Sequence, residues 1–427
     1  MYDIHIIGGG TIGHVRCGLS LASPDFGETA RLIPWGLWKQ RQNHPELLEN
    51  FHFTSHLTSM ASGENRNLTT MDDVQQLVER LIEEEQTKII FLMSPLLEFD
   101  GCVGRPNWDS FKPTPNGPNE PALRAGIGSG EEHLILKSRE PLWAKIRQKR
   151  KDIFLVAYHQ TGDETEEKQY FKALRFLKAN SCNLVLSQNQ SDGRCMVVTP
   201  EEARYFVGQT LLSTVYNLVD MTFKRQGLTY SRTKVVDGEP IEWSSERIPE
   251  TLRQVVEYCV EEGAYKPLFG KTVGHFSYRE NEEVFLVSRR GVDYNRLDEY
   301  GMVEVQISEA GEIVSQGAKP SAGAQTQRLI FDRNPQYDCI IHFHCPLKET
   351  SNIPVRSQYE YECGSIECGL NTNDGLKEYD GFSAVMLDKH GPNIVFHHQT
   401  DPQKIINFIE AHCDLANKTG GYDPNMA

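Results

Sequence analysis

The chain has 427 residues, of which 39% are hydrophobic and 24% are charged, and its formal net charge at pH 7 is −15. This length predicts two domains, each able to bury a core. The acidic balance argues against general nucleic-acid binding, which requires a basic face. No apolar run approaches the roughly 18 residues that a membrane-spanning helix requires, so we expect no membrane partner.

The first residues and the cysteines bear on the cellular compartment. The chain begins "MYDIHIIGGG", with neither the basic segment nor the cleavage site of an export signal. Its ten cysteines are scattered and form no CxxC pair, which is typical of reduced thiols. We therefore expect a cytoplasmic protein.

The first half of the chain alternates strand-like and helix-like segments. In chain order these segments are "YDIHIIGG", "MDDVQQLVERLIEEE", "KIIFLMSP", "PLWAKIRQKRK", "IFLVAYH", "TEEKQYFKALRFLKAN" and "NLVLSQN". Apolar strands between helices predict a parallel sheet that is covered on both faces. The prediction is a doubly wound, Rossmann-like α/β domain over residues 1–225.

Three further features of the first half concern its loops and its end. The stretch from residue 100 to 130 is rich in Pro, Gly and Asn, which indicates an active-site flap or a partner surface. Residues 199–227 are predicted to be helical, and Thr199 and Glu202 fit a capping box at the start of that helix. The polar, turn-rich stretch 226–247 is predicted to be a linker.

The second half begins with a helix and is then mainly β. The helix is "IPETLRQVVEYCVEEGA"; the strands are "TVGHFSYR", "EVFLVSR", "MVEVQIS", "DCIIHFH", "FSAVML" and "NIVFHH", with helices at "AGAQTQRLIFDR" and "DPQKIINFIEAHCDL". Clustered strands with flanking helices predict an α+β domain around a central antiparallel sheet, over residues 248–427.

The turn after the first strand is rich in glycine. In "IIGGGTIG", Gly8, Gly10 and Gly13 satisfy the spacing GxGxxG. A dinucleotide site also needs an acidic residue about 20 positions further on, and "ARLIPWG" offers none there. The dinucleotide interpretation is therefore weak, although a glycine turn that feeds a helix can still receive a phosphate on its amides.

Residues 1–215 resemble the phosphopantothenoylcysteine synthetase family, the nucleotide-dependent ligases of coenzyme A synthesis. The resemblance lies in the order of "GGGTIGHVR", "IIFLMSPLLEFDG", "FLVAYHQTGDE" and "NLVLSQNQSDG". The family's Ser-Ser-Gly segment is absent from "CGLSLASPDFG", and "AGIGSGEE" replaces its basic segment. The resemblance thus implies a different phosphorylated ligand, with a nucleotide left open. Its candidate contacts are Gly9, Gly10, Thr11 and Asn189.

The segment "CIIHFHCP", residues 339–346, places two histidines in an apolar strand. Side chains alternate between the faces of a strand, so His342 and His344 point to the same side. Their ring nitrogens need partners if they are buried. Neighbouring hydrogen-bonding groups or a divalent metal can fill that role, and the pair alone leaves both alternatives open.

Residues 248–420 resemble the class II aldolase/adducin family. Five motifs occur in the family's order: "VGHFSYR", "FLVSRRGVDYNRL", "AKPSAGAQTQRLIF", "IIHFHCP" and "VMLDKHGPNIV". The resemblance implies that His342, His344 and His390 bind a divalent metal. Zinc is the first choice, with Mn²⁺, Fe²⁺ or Co²⁺ as alternatives. It also implies a homo-oligomer, in which a tetramer is favoured.

The chemistry implied by this family is aldolase-type cleavage or formation of a carbon–carbon bond, or related enediolate chemistry, assisted by the metal. The substrate would be a small phosphorylated or carboxylated sugar-like molecule. The glutamate that transfers the proton in the family falls on Gly323 here. Candidates to replace this base are Glu367, His275 and Tyr278.

Other motif positions indicate how an anionic substrate would be held. The family's anion-binding serine aligns with Arg290, and Arg289 precedes it. Guanidinium groups suit phosphate or carboxylate, whereas adjacent arginines at a strand end are also typical of plain surface charge. Gly274, Gly291 and Ser321 complete the candidate substrate site.

Three hypotheses follow for the whole chain. The first is a metal-dependent lyase fused to a ligase-like domain. The second is a nucleotide-dependent carboxylate–amine ligase in which the first domain carries the reaction. The third is a non-catalytic, adducin-like binding protein. The three histidines favour the first over the third, because adducin-type domains lack them.

Overall fold

The computed structural model describes residues 2–45, 50–63, 66–104, 133–309 and 311–422. The chain divides into two compact units. The first unit comprises Met1–Thr199 and Tyr205–Gln226, and the second comprises Pro200–Arg204 and Gly227–Ala427. The five residues Pro200–Arg204, which interrupt the first unit near its end in sequence, therefore belong to the second unit.

The strands of the first unit form one large sheet and two hairpins. Their bounds are β1 Tyr2–Gly8, β2 Thr11–Arg16, β3 Leu19–Ser23, β4 Phe51–Thr58, β5 Arg66–Leu68, β6 Thr87–Met93, β7 Phe99–Gly104, β8 His133–Ser138, β9 Phe154–Thr161, β10 Leu184–Asn189, β11 Cys195–Val198 and β12 Arg204–Tyr205. Its helices are α1 Glu28–Asn43, α2 Met71–Leu81, α3 Leu142–Lys149, α4 Glu166–Asn180 and α5 Leu211–Gln226.

The large sheet has the strand order β12-β11-β10-β9-β6-β1-β4-β5. Neighbouring strands from β10 to β5 run parallel, and β11 pairs antiparallel to β10. The central strands are apolar and fully buried, as a sheet with both faces covered requires; examples are Ile4, Phe91, Leu155 and Leu186. The doubly wound α/β prediction is confirmed.

Local signals explain where several of these elements begin. Helix α2 starts at a capping box in which the Thr70 side chain accepts from the amide of Asp73, whose carboxylate accepts from the amide of Thr70. The glycine turn after β1 leads into the hairpin β2–β3 instead of the expected helix. Residues 105–130 of the expected flap lie outside the described residues.

The capping box predicted at Thr199 and Glu202 is wrong. Helix α5 begins only at Leu211, and Glu202 has a left-handed backbone with φ of 59°. A residue in the first turn of a right-handed helix has a negative φ, so Glu202 cannot be part of one.

None of the helices in the described part of the chain combines the length and the hydropathy that a membrane span requires.

The strands of the second unit are β13 Thr233–Val236, β14 His275–Arg279, β15 Val284–Ser288, β16 Met302–Ile307, β17 Ile313–Gln316, β18 Cys339–His342, β19 Val355–Arg356, β20 Lys377–Tyr379, β21 Phe382–Leu387 and β22 Gly391–Phe396. Its helices are α6 Glu250–Glu261, α7 Leu297–Tyr300, α8 Ala324–Arg333, α9 Ile366–Gly375 and α10 Pro402–His412, with a 3₁₀ turn at Tyr294–Arg296. Strand β13 lies inside the stretch expected to be a linker.

The second sheet has the order β13-β17-β16-β15-β14-β18-β22-β21-β19, and β20 pairs with β21. The central pairings from β17 to β21 are antiparallel. One face packs on the main core through Phe276, Ile341 and Phe343. The other face packs on α8, where Ile340 and Val395 meet Ile330 and Phe331. The predicted antiparallel α+β fold is confirmed.

Candidate metal centre

Three histidines of the second unit meet at one end of the central strands. His342 is the last residue of β18, His344 follows two positions later, and His390 precedes β22. One ring nitrogen from each lies within 4.8 Å of the others. The three residues are 1%, 6% and 1% exposed, respectively. Three imidazoles are thus gathered in a buried place where their nitrogens require partners.

Hydrogen bonds fix which nitrogen two of these rings present to the cluster. Nδ1 of His342 lies 2.9 Å from the carbonyl oxygen of Pro392, and Nδ1 of His344 pairs with the carboxylate of Glu202. Both oxygens accept, so each Nδ1 carries a proton, and the neutral form of each ring presents the lone pair of Nε2 to the cluster. The Nε2 atoms of His342 and His390 lie 3.3 Å apart.

The backbone brings these segments together through two glycines in left-handed conformations. Gly391 has φ of 157°, and a Cβ atom there would lie 3.2 Å from Cα of His344. Gly274 has φ of 99°, and its Cβ atom would lie 2.6 Å from the carbonyl oxygen of His342. Gly274, predicted as a substrate contact, therefore allows the close approach of β14 and β18.

A fourth histidine adjoins the cluster. His275 pairs directly with His342 across β14 and β18, and their ring centroids are 4.7 Å apart. Its Nδ1 is hydrogen-bonded to the side-chain amide of Gln327 in α8. Burial, with a contribution from His344, lowers the pKa of His275 to about 3. Burial likewise lowers the pKa of His342 well below its usual value.

The ring of His275 also fills the space beside Gly323. A Cβ atom at residue 323 would lie 2.8 Å from Cε1 of His275 and closer still to its Nε2 and Cδ2. Real Cβ atoms do not approach other atoms so closely. His275 therefore stands where the side chain of the family's glutamate would begin.

The other two candidates for the base make different contacts. Glu367 is in the first turn of α9, and its carboxylate accepts a hydrogen bond of 3.0 Å from the amide of Thr229. Tyr278 lies on the opposite face of β14 from His275, at the margin of the main core, with its ring 6.1 Å from that of His398. Burial, then the carboxylate of Asp338, raises the pKa of Tyr278.

The predicted anion-binding residues lie where the segment after β15 pairs with the segment before α8. Arg289 pairs with Pro320, and the amide of Ser321 donates to the carbonyl oxygen of Ser288. The guanidinium of Arg289 donates to the carbonyl oxygen of Tyr300 and lies over its ring. Arg290 and Gly291 are exposed. Arg289 is thus engaged by the fold, whereas Arg290 reaches solvent.

In the first unit, the predicted phosphate contacts are occupied by the chain itself. The amide of Gly10 donates to the carbonyl oxygen of Asp25 over 2.8 Å. The hydroxyl of Thr11 donates to the carbonyl oxygen of Pro95. A Cβ atom on Gly9 would lie 2.9 Å from that of Ala61. The two hydrogen bonds tie the start of the hairpin β2–β3 to the segments that follow β3 and β6.

Asn189, at the end of β10, also serves the local structure. Its amide nitrogen donates to the carbonyl oxygen of Glu164 over 3.0 Å, and its amide oxygen accepts from the amide of Ser191 over 2.9 Å. Both ends of the side-chain amide are therefore used in the loop that follows the strand.

A second group of histidines is organised by Asp338. The carboxylate of Asp338 pairs with Nδ1 of His398, accepts from its backbone amide over 2.7 Å, and lies 3.6 Å from Nε2 of His397. These contacts tie the end of β22 to the start of β18. Both histidine side chains are more than a third exposed.

Residues 253–400 match the family model of the class II aldolase and adducin N-terminal domain. The resemblance that the five motifs predicted is therefore confirmed, and the second unit contains a domain of this family. All three histidines of the cluster lie within the matched residues, whereas Glu202 lies outside them.

Curated relatives match less than half of the chain. Methylthioribulose-1-phosphate dehydratase of Xanthomonas campestris pv. campestris (strain 8004) is 25% identical over 181 residues, which cover 42% of this chain and 78% of that protein. The dehydratase of Xanthomonas euvesicatoria pv. vesicatoria (strain 85-10) is 24% identical over the same length. Relatives of the second unit are thus lyases.

Solved structures resemble each half of the chain. A DNA/pantothenate metabolism flavoprotein from Streptococcus pneumoniae covers 51% of this chain and 96% of its own, with 14% identity and a TM-score of 0.39. An L-fuculose 1-phosphate aldolase covers 39% of this chain and 85% of its own, with 16% identity and a TM-score of 0.29.

Sequence reasoning missed Glu202. Its only sequence signal was a position compatible with a capping box, and 142 positions separate it from the histidine that it contacts. Sequence reasoning named His275 but not its relation to Gly323. His275 and Gly323 are 48 positions apart in sequence. Both lie in motifs that resemble the family's, and a comparison of the two departures could have linked them.

Proposed function

We propose that this protein is a metal-dependent lyase that acts on a small phosphorylated sugar at the second unit. The observation that carries the proposal is the buried group of His342, His344 and His390, whose nitrogens converge inside a domain of the class II aldolase family. Elimination of water is the expected reaction, since the curated relatives of this domain are dehydratases.

The three histidines fit a divalent ion. In two of them Nδ1 donates to an oxygen, so the neutral ring presents its Nε2 lone pair. Neutral imidazole is a favoured ligand for zinc and for Mn²⁺, Fe²⁺ and Co²⁺. Three histidines with an open position characterise catalytic zinc. A bound ion would polarise the carbonyl and hydroxyl oxygens of the substrate as a Lewis acid.

His275 is the proposed proton-transfer residue. It lies against His342, and its Nε2 occupies the place where a side chain at residue 323 would begin. A base role requires the ring's proton on Nδ1, so the side-chain amide of Gln327, which lies against Nδ1, would present its oxygen to that atom. Nε2 would then take a proton from the carbon next to the substrate's carbonyl. Glu367 is a weaker candidate because its carboxylate is bound to the backbone of Thr229.

Arg290 is the proposed contact for the substrate's phosphate. It is exposed, and its guanidinium makes no hydrogen bond or ion pair within the described part of the chain. The side chain of Lys271 places a second positive charge near this turn, since its Cδ would lie 3.8 Å from a Cβ atom on Gly291. A planar guanidinium suits a phosphate dianion.

The test uses the full chain loaded with zinc and two substrates, methylthioribulose 1-phosphate and L-fuculose 1-phosphate. Loss of water is followed as a new carbonyl product, carbon–carbon cleavage as a released aldehyde, and proton removal as exchange in deuterated water. We expect exchange and loss of water with the first substrate. His275→Asn should abolish exchange while zinc stays bound, and Glu367→Gln, the matched control, should leave exchange unchanged.

Each other result assigns a different function. Aldehyde release from either substrate would indicate aldolase chemistry. Exchange that survives in His275→Asn but not in Glu367→Gln would move the base to Glu367. Bound zinc without exchange or product for any phosphorylated sugar would favour the non-catalytic binding protein. Nucleotide-dependent amide formation without the metal would favour the ligase hypothesis.

The proposal includes the assembly and the compartment. We propose a homotetramer in the cytoplasm, because the resemblance to the class II aldolase family implies a tetramer and soluble homo-oligomers usually close symmetrically. All ten cysteines are free thiols, which fits a reducing compartment. Light scattering of the purified protein gives the mass of the assembly, and a monomeric mass would contradict the tetramer.

A further inference from the structure

The segment Pro200–Arg204 reaches the metal centre from outside the matched aldolase domain. It belongs to the second unit, although the residues on both sides of it belong to the first. Glu201 and Glu202 are each 1% exposed. Two adjacent buried carboxylates are costly unless both are hydrogen-bonded or paired, so their partners indicate what the segment does.

Each part of the segment contacts a different piece of the site. The carboxylate of Glu202 pairs with Nδ1 of His344. The carboxylate of Glu201 accepts from the amide of Cys363 over 2.8 Å. The carbonyl oxygen of Arg204 accepts from Nζ of Lys389, the residue before His390, over 3.3 Å. The segment therefore holds His344 directly and His390 through its neighbour Lys389.

The backbone at Glu202 is unusual for its residue type. Its φ of 59° lies in the left-handed region, which a residue with a long side chain seldom adopts and which costs free energy. With its backbone in this conformation, Glu202 places its carboxylate against Nδ1 of His344. Such strain persists only where surrounding contacts over-determine it, and the contacts of Glu201 and Arg204 on either side supply that constraint.

We propose that Glu202 is a positioning residue of the metal centre. Its carboxylate holds the ring of His344 in the orientation and tautomer in which Nε2 binds the ion, so that Pro200–Arg204 completes a site that residues 253–400 provide only in part. A carboxylate on the far nitrogen of a ligand histidine also makes that ligand more basic. This inference rests on the proposed metal binding by His344.

The experiment compares two isosteric variants of the full chain. Glu202→Gln keeps the size of the side chain and an oxygen that can accept from Nδ1, but it removes the charge. Glu201→Gln is the matched control, since this neighbour is equally buried and its carboxylate accepts from the backbone amide of Cys363, which a glutamine oxygen can also do. The dissociation constant for Zn²⁺ is measured by competition with a chromogenic chelator, and the unfolding temperature is measured on the metal-free protein.

We expect Glu202→Gln to bind zinc about 10- to 100-fold more weakly, as is typical when the carboxylate partner of a ligand histidine is lost. Glu201→Gln should stay within about twofold of the unmodified protein, a range well below that loss. In a His344→Ala background, Glu202→Gln should cause no further loss, because the residue acts through this ring.

Other outcomes separate this inference from the proposed function. Unchanged zinc affinity in Glu202→Gln, with zinc bound by the unmodified protein, would overturn only the role of Glu202. Equal losses in both variants that follow the unfolding temperature of the metal-free protein would show that the segment is merely structural. No zinc binding by the unmodified protein would overturn the metal centre and the role of Glu202 together.

Discussion

The imidazole of His275 occupies the space that any side chain at residue 323 would need. A Cβ atom on Gly323 would lie 2.8 Å from Cε1 of His275, and α8 begins at the next residue. The two positions are therefore coupled, because a histidine at 275 requires a glycine at 323. A domain whose motif calls for a glutamate at 323 can keep that residue only with a smaller group at 275.

The first prediction tests this coupling through stability. Gly323→Ala should lower the free energy of unfolding by about 1–3 kcal/mol, as overpacking of a filled site does. The double variant His275→Asn/Gly323→Ala should lose less than the sum of the two single variants, since the shorter side chain leaves room. Chemical denaturation of all four proteins gives the coupling energy. Additive effects would show that the two residues do not compete for space.

The second prediction concerns the ligands. Replacing His342, His344 or His390 with alanine should each lower zinc content sharply, because two remaining histidines make a poor site. His52→Ala, whose side chain is 63% exposed in the first unit, serves as the control and should retain zinc. Elemental analysis of the purified proteins is the measurement. A full complement of zinc in all three variants would refute the assignment.

The third prediction separates the two adjacent arginines. Arg290→Ala should raise KM about tenfold for a phosphorylated substrate and leave the unfolding temperature unchanged, because the loss is one charge-assisted hydrogen bond to the ligand. Arg289→Ala should instead lower the unfolding temperature, since its guanidinium holds the carbonyl oxygen of Tyr300. An Arg290→Ala enzyme with an unchanged KM would place the phosphate elsewhere.

The fourth prediction concerns acid. Burial, then the neighbouring His56, lowers the pKa of His5 to about 4, so the folded chain resists protonation that the unfolded chain accepts near pH 6.5. The contribution to stability is intact above pH 6.5 and is lost as the pH falls toward 4. The free energy of unfolding should fall by up to about 1.4 kcal/mol per pH unit from this group.

The matching measurement is the free energy of unfolding, obtained by chemical denaturation at several pH values. His5→Asn should flatten the fall between pH 6.5 and 4, because the titrating group is gone. An identical slope in His5→Asn would mean that other groups account for the acid sensitivity.

The sequence by itself determined much of the fold and the three histidines of the candidate metal centre. Strand alternation in "CIIHFHCP" placed His342 and His344 on one side, and apolar runs located the central strands of both sheets. Five motifs in order identified the aldolase domain and supplied His390. These features are readable because burial on one face of a strand or helix imposes a period on neighbouring residues.

Tertiary structure alone decided what surrounds those histidines. Glu202 meets His344 across 142 positions of sequence, and local pattern gave it the wrong role at the start of a helix. Gly9 and Gly10 predicted a tight turn. The groups that pack against this turn, Asp25 and Ala61, come from later segments and could not be predicted. Asn189 and Glu367 were likewise committed to backbone partners elsewhere. Such contacts leave no period in the sequence, because they depend on the distance between side chains in the folded chain and not on their spacing along it.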